Sequence, residues 1–358
     1  MNQPLSTRLR AFGALLPLVF APFSPAVESQ VARRSETYLG ILGDGGAGSK
    51  EQKAVARQLE LAREGGKLDY VFLLGDNLYD QGEAKYIHPK YLDVYGGLLD
   101  DAVPFHAALG NHDVKKCRVG DIERLPRDAS AYSRCEVDQQ LDPKNRFGYV
   151  NGYRYYDVVI PGGVGEPSGG EAAPDEAPLV QVFVIDTNTL ASSQSFLVTG
   201  DDRQQLEWLD RELARSRATW KVVIMHHPIH SPSAAGWFSG HDREVQLGAQ
   251  LEPIFTSRGV DVVFAGHNHF YARIVPQKGI RYFVSGGGGK GIYRYRPEEG
   301  YVAPEPERGK FHHFIHARLT KEWFEYCVVD AEGNLRDGGR FGKNDSSDRA
   351  LPDGRCPY

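Results

Sequence analysis

Cysteine, methionine and tryptophan are scarce in this chain: its 358 residues carry 4, 2 and 4 of them. None of the cysteines (Cys117, Cys135, Cys327, Cys356) has a His or Cys partner at zinc-finger spacing, which argues against a structural zinc site. Long apolar runs are missing as well. No segment approaches the ~20 apolar residues that a bilayer-spanning helix needs, so no membrane span is expected. A strong excess of one charge is also lacking. The net charge is -5 and no Lys/Arg run stands out, so nucleic acid is not an expected partner. Internal repeats are not evident. What remains, 41% hydrophobic and 25% charged residues, is the make-up of a water-soluble globular fold.

The first residues differ from the rest. Arg8 and Arg10 precede an apolar stretch from Ala11 to Phe23, and Ser24 and Ala26 follow at the spacing of a signal-peptidase site. Residues 1–26 therefore read as a signal peptide, with the mature protein secreted or periplasmic. In such a compartment four cysteines suggest two disulfides, with three connectivities open. Nearest-neighbour pairing, Cys117 with Cys135 and Cys327 with Cys356, would pin a polar insertion and the C-terminal tail.

Short apolar runs ending in glycine predict buried strands over Thr37–Leu42, Asp69–Leu74 and Val103–Leu109. A helix lies between the first two, opened by a Ser49/Gln52 capping box and stopped by Gly65-Gly66. Strand, helix, strand in this order implies a parallel βαβ unit, in which ligands gather at the carboxyl ends of the strands. Lys115–Arg146 is polar and irregular, an insertion. Phe147–Val150 and Tyr153–Ile160 flank Asn151-Gly152, the signal of a hairpin. Pro161–Pro178 reads as a loop. Strands follow at Val180–Ile185, Trp220–Met225 and Val260–Ala265, and helices at Asp202–Arg217 and Glu244–Arg258. A hairpin is expected at Tyr271–Val275 and Ile280–Ser285, then a Gly-rich loop, then strands at His313–Leu319 and Trp323–Val329. The fold class is α/β: two mixed β-sheets packed as a sandwich and flanked by α-helices. One catalytic domain covers residues 36–330, and 331–358 is expected to be a polar C-terminal tail.

Five clusters fall just after predicted strands: Gly43-Asp44-Gly45-Gly46, Gly75-Asp76-Asn77-Leu78-Tyr79, Gly110-Asn111-His112-Asp113, Met225-His226-His227-Pro228 and Gly266-His267-Asn268-His269. Taken singly each has a bland reading. Asp44 could be turn chemistry, His226 or His227 a satisfied core histidine, and Tyr79 a packed ring. Together they supply carboxylates, an amide and imidazoles, all ligands for hard to borderline metals. His267 and His269 project to one side if the backbone there is extended, which suits one ligand to each of two metals.

The five clusters resemble the signature of the calcineurin-like metallophosphoesterase superfamily. Tyr79, three places after Asp76, makes the chain similar to the purple acid phosphatases, and its length and spacing resemble their small tartrate-resistant type. The resemblance spans Leu39 to about Val284. It implies that Asp44, Asp76, Tyr79 and His269 hold Fe(III), while Asp76, Asn111, His226 and His267 hold a divalent metal, Fe(II), Zn or Mn, with Asp76 shared. The charge logic agrees: three anionic oxygens suit a trivalent ion, and two imidazoles with an amide suit a divalent one. The implied activity is hydrolysis of a small phosphorylated substrate by metal-activated hydroxide. His112 would stabilise the phosphoryl group or protonate the leaving alkoxide, and Asp113 and His227, which sit beside ligands, would orient them or face the substrate. The family has a further histidine after the His226-His227-Pro228 turn. Here its place falls on Ala235-Gly236; His230 lies too early and His241 too late, and of the two His241 is favoured. Phosphodiesterase or nucleotide-directed chemistry at the same site, and a non-catalytic metal-containing binding module, are the competing readings. Substrate and oligomeric state are not legible.

Overall fold

The apolar runs that end in glycine or histidine form the parallel strands of two sheets in the computed structural model, which describes residues 36–119, 125–162, 177–191, 202–232, 245–296 and 309–356. The first half of the chain runs β1 (Thr37–Leu42), α1 (Lys50–Glu64), β2 (Tyr70–Leu73), α2 (Gly96–Asp100), β3 (Phe105–Ala107), β4 (Arg118–Val119), β5 (Tyr132–Ser133), α3 (Val137–Leu141) and β6 (Tyr156–Ile160). The second half runs β7 (Val180–Val184), α4 (Arg203–Arg215), β8 (Trp220–Met225), α5 (Val245–Arg258), β9 (Val262–Ala265), β10 (Tyr271–Arg273), β11 (Arg281–Ser285), β12 (His313–Leu319), β13 (Phe324–Asp330) and β14 (Leu335–Phe341). The signal-peptide segment 1–26 lies outside the described residues. Among the described residues no helix is long and apolar enough to cross a membrane.

Among the described residues each large sheet has six strands. The order is β14-β13-β12-β1-β2-β3 in one and β10-β11-β9-β8-β7-β6 in the other. β1, β2 and β3 are parallel to one another, as are β7, β8, β9 and β11, while β12, β13 and β14 in the first sheet and β6 and β10 at the two edges of the second pair antiparallel, so both sheets are mixed. The strands of the second sheet are apolar at nearly every position because both faces are covered. Val182, Val222, Ile224, Val262 and Phe264 join the core shared with Ile41, Phe72 and Phe314 of the first sheet. Their alternates Phe183, Val223, Met225 and Val263 pack instead with Trp208, Leu209 and Leu213 of α4 and Leu247, Leu251 and Phe255 of α5. Side chains alternate along a strand, so one sequence run builds two cores. Both expected caps form: Ser49 accepts from the Gln52 N–H, and Asp202 from the Gln205 N–H.

Two expectations are corrected. Asn151 and Gly152 do take the left-handed conformation, at φ 55° and 66°, but no hairpin forms around them. β6 pairs antiparallel with β7, from Tyr156↔Val184 to Ile160↔Val180. Phe147 stacks on Tyr91 at 3.9 Å between centroids, so burial of that ring decides where the preceding segment goes. The polar tail is also more than a tail. Its residues Leu335–Phe341 add an edge strand to β13, Phe341 stacks on Phe324 at 5.1 Å, and Cys356 is bonded to Cys327. Only one face of that strand is covered, which is why its sequence is polar. The second disulfide joins Cys117 to Cys135 within the insertion, where β4 and β5 form a two-stranded sheet.

Candidate metal centre

The carboxyl ends of β1, β2, β3, β8 and β9 carry all five clusters, and short backbone hydrogen bonds lace them into one rim. The Asp44 N–H donates to the Gly75 carbonyl (3.0 Å), Gly46 to Asp76 (3.1 Å) and Gly266 to His226 (3.0 Å). Glycine is needed where these turns meet. A Cβ on Gly110 would stand 2.2 Å from Asp76 Oδ1, and one on Gly75, itself at φ +93°, would stand 2.6 Å from His226 Nδ1.

Three of the candidate ligands hold the strained backbone themselves. Asp44, Asp76 and His267 lie at φ 60°, 54° and 67°. Left-handed non-glycine residues are costly and concentrate where surrounding structure enforces them at functional sites. His267 therefore departs from the extended backbone expected for the Gly-His-Asn-His unit. Its turn sends His267 and His269 to different places.

Asp44, Asp76 and His269 bring donor atoms within 4.8 Å of one another. Tyr79 joins them, its hydroxyl 2.9 Å from Asp44 Oδ1 and 3.0 Å from His269 Nε2. Beside this group, Asn111 Oδ1 lies 2.9 Å from both His226 Nε2 and His267 Nδ1. Asp76 faces both groups, since its Oδ1 is 3.4 Å from His226 Nε2. The imidazoles are held from behind. His226 Nδ1–H donates to the Leu74 carbonyl (2.9 Å) and His269 Nδ1–H to the Gly291 carbonyl (2.9 Å), which leaves each Nε2 facing the cluster. A metal-ligating histidine is held in the same way.

Electrostatics make the same case for a cation. Asp44 and Asp76 are fully buried, yet among the described residues neither pairs with a lysine or arginine; their ionic partners are His269 and His226. Buried carboxylates left without a cation are expensive. Burial, and then the charges of Asp44 and Asp76, push the Tyr79 phenol well above its ordinary range. Burial works against ionised Asp76 too, but the charges of His226 and His112 and the His112 N–H outweigh it and hold that carboxyl low. A cluster of two carboxylates, a phenol, an amide and three imidazoles, in which the buried carboxylates pair only with histidines among the described residues, fits a pair of metal ions.

The remaining site residues surround this cluster. Asp113 accepts the N–H groups of Gly110 (2.8 Å), Asn77 (3.1 Å) and Leu78 (2.9 Å), clamping the second and third loops together. Burial and the Asp76 charge raise its carboxyl to about 7 against those three donors. His227 lies within ligating distance of His226 and His267, but its Nδ1 is engaged by Thr187 Oγ1 at 2.8 Å. Asn111 sits between the two imidazoles, so it completes their group better than His227 does. The His112 N–H donates to Asp76 Oδ1 (2.8 Å) and its Nδ1–H to the Asp80 carbonyl (2.7 Å). His241 lies outside the described residues.

Sequence reading missed three contributors. Thr187 fixes His227 from the loop after β7, a position with no local signature. The Gly-rich loop supplies the Gly291 carbonyl behind His269, a role its composition does not signal. Asp80, next to a candidate ligand, supports His112 through its main chain.

Comparison with known proteins points the same way. The calcineurin-like phosphoesterase profile matches residues 39–271. The chain is similar to purple acid phosphatase 4 of Arabidopsis thaliana, 26% identical over 319 residues that cover 82% of this chain and 80% of that one. Its fold resembles that of GAP50, the anchor in the inner membrane complex of Plasmodium, with a TM-score of 0.64 at 16% identity, covering 87% of this chain and 90% of that one. It also resembles purple acid phosphatase PPD1 of yellow lupin (Lupinus luteus), with a TM-score of 0.60 at 16% identity, covering 90% of this chain and 56% of that one. At such identities the two structural likenesses show the fold alone.

Proposed function

The chain belongs to the calcineurin-like phosphoesterase family, and from that premise we propose that it is a purple acid phosphatase-like enzyme that hydrolyses small phosphate esters at two metal ions. Metal-dependent phosphoester hydrolysis is the activity shared by its family and its acid phosphatase relatives. The finer assignment rests on one observation: the buried Asp76 carboxylate faces a group rich in anionic oxygen on one side and an imidazole-amide group on the other. Asp44, Asp76, Tyr79 and His269 would hold Fe(III). Asp76, Asn111, His226 and His267 would hold Fe(II), Zn or Mn.

When bound, the two ions supply Lewis acidity toward phosphoryl oxygens and lower the pKa of an attacking water. The chain's own residues do the rest. Asp113 fixes the loops that carry Asp76 and Asn111, and Thr187 fixes His227 beside His226. His112 is tethered through its main-chain N–H and its Nδ1–H, so Nε2 would be the atom that gives a proton to the departing alkoxide. Export to an oxidising compartment, proposed from residues 1–26, is consistent with the two disulfides.

Metal analysis with turnover of 4-nitrophenyl phosphate tests the proposal. Wild-type protein should bind two metal ions per chain and be active. Asp76→Asn should lose both the pair and the activity. Full turnover by Asp76→Asn would remove the shared carboxylate, and with it the two-metal reading.

A further inference from the structure

Lys290 follows the Gly286–Gly289 run and is held at both ends. Its main-chain N–H donates to the Asp44 carbonyl at 3.0 Å. Its ammonium lies 2.6 Å from Asp80 Oδ1 and 4.3 Å from the centroid of the Tyr79 ring. The side chain is 34% exposed, so it reaches the rim of the cluster without being sealed inside it. A surface lysine usually wanders. This one is tied by its backbone to one candidate iron ligand and laid across the face of another. Asp80 completes the arrangement, because the residue that steers Lys290 also accepts the His112 Nδ1–H through its carbonyl.

A cation over an aromatic face is attracted to the electron density of the ring, and the attraction grows when the ring carries negative charge. We propose that Lys290 is a positioning residue that sets the electron-donating strength of Tyr79 toward a ferric ion by holding a fixed positive charge over the phenolate ring. This rests on the reading of Tyr79 as an iron ligand. A phenolate bound to Fe(III) gives a visible absorption band in which an electron moves from ring to metal. The ammonium stabilises the electron-rich ring before that transfer and raises the transition energy. The same charge leaves the phenolate a weaker donor, so the ion keeps more of its positive charge for polarising substrate oxygens. Lys90 does not duplicate the effect: its ammonium holds the Tyr79 carbonyl and lies 3.9 Å from the centroid of the Tyr86 ring instead.

Visible spectra of iron-loaded wild type, Lys290→Met, Lys290→Arg and Tyr79→Phe, each at measured iron content, test this. The expected result is a wild-type band that vanishes in Tyr79→Phe, moves to longer wavelength in Lys290→Met, and stays close to the wild-type position in Lys290→Arg. Should Lys290→Met bind less iron, Lys290→Gln is read in its place, with near-ultraviolet circular dichroism to show native packing. A band that does not move on loss of the charge overturns the role of Lys290 while leaving the iron–tyrosine reading intact. Equal movement in Lys290→Met and Lys290→Arg overturns it too, because packing rather than charge would then be responsible. An iron-loaded wild type without the band removes the underlying reading and this inference together.

Discussion

At the scale of single residues, His112 gives the sharpest prediction. Its Nδ1–H is committed to the Asp80 carbonyl, so proton donation has to come from Nε2. An alkyl phosphate needs its leaving oxygen protonated, whereas 4-nitrophenolate departs unaided. His112→Gln is therefore expected to lower kcat on alkyl phosphates by about 10²–10⁴-fold and to affect 4-nitrophenyl phosphate far less. Equal losses on the two substrates would assign His112 to phosphoryl binding instead. The candidate ligands were legible at this scale because five clusters of metal-ligating residue types recur at strand ends, although each alone has a bland reading. Their left-handed backbones were not. Asp44, Asp76 and His267 belong to residue types that tolerate positive φ, but nothing local demands it.

At the scale of elements, a buried ionic knot behind the site ties loops to strands. Arg154, just before β6, pairs with Asp186 (3.0 Å) after β7 and with Asp202 (2.7 Å) at the start of α4, and all three side chains are fully buried. Arg154 Nε also donates to the Pro126 carbonyl of the insertion. From the same loop Asn188 donates to the Leu109 carbonyl, next to the cluster that holds Asn111. Arg154→Met would leave two carboxylates buried without their cation. The expected cost is about 3–5 kcal/mol in urea unfolding; a loss below ~1 kcal/mol would show that the knot is not a stability element. The sequence announced the Asp202 cap but not the knot, since its members are far apart in the chain and no local pattern links them.

At the scale of the whole molecule, buried histidines contribute to the loss of stability in acid. His313 and His316 sit on β12 with their rings fully buried, and burial lowers both to about 4. His316 donates Nε2–H to the Lys67 carbonyl, and His313 donates Nδ1–H to the Phe311 carbonyl. Each stays neutral when folded and takes up a proton when unfolded, so folding is favoured above the ordinary histidine pKa. That advantage disappears as the pH falls from about 6.5 toward 4, by about 1.4 kcal/mol per pH unit for each histidine. Urea midpoints should therefore drop across this window. His316→Gln, which keeps a donor for the Lys67 carbonyl, should flatten the slope by one proton. An unchanged slope would show that His316 is not one of the groups responsible.

The chain by itself determined the donor types, their order, the caps of α1 and α4 and the buried parallel strands, because each of these is fixed within a short window by period, capping and glycine. Tertiary structure decided which windows meet. β12 pairs with β1 across most of the chain, a polar tail becomes an edge strand, Asp76 comes to face both groups, and Lys290 reaches Asp80 from 210 residues away. Those outcomes follow from the burial of two sheet faces against each other. Only the assembled sandwich brings the strand ends to one rim, where turns that are ordinary in isolation become a cluster able to hold metal.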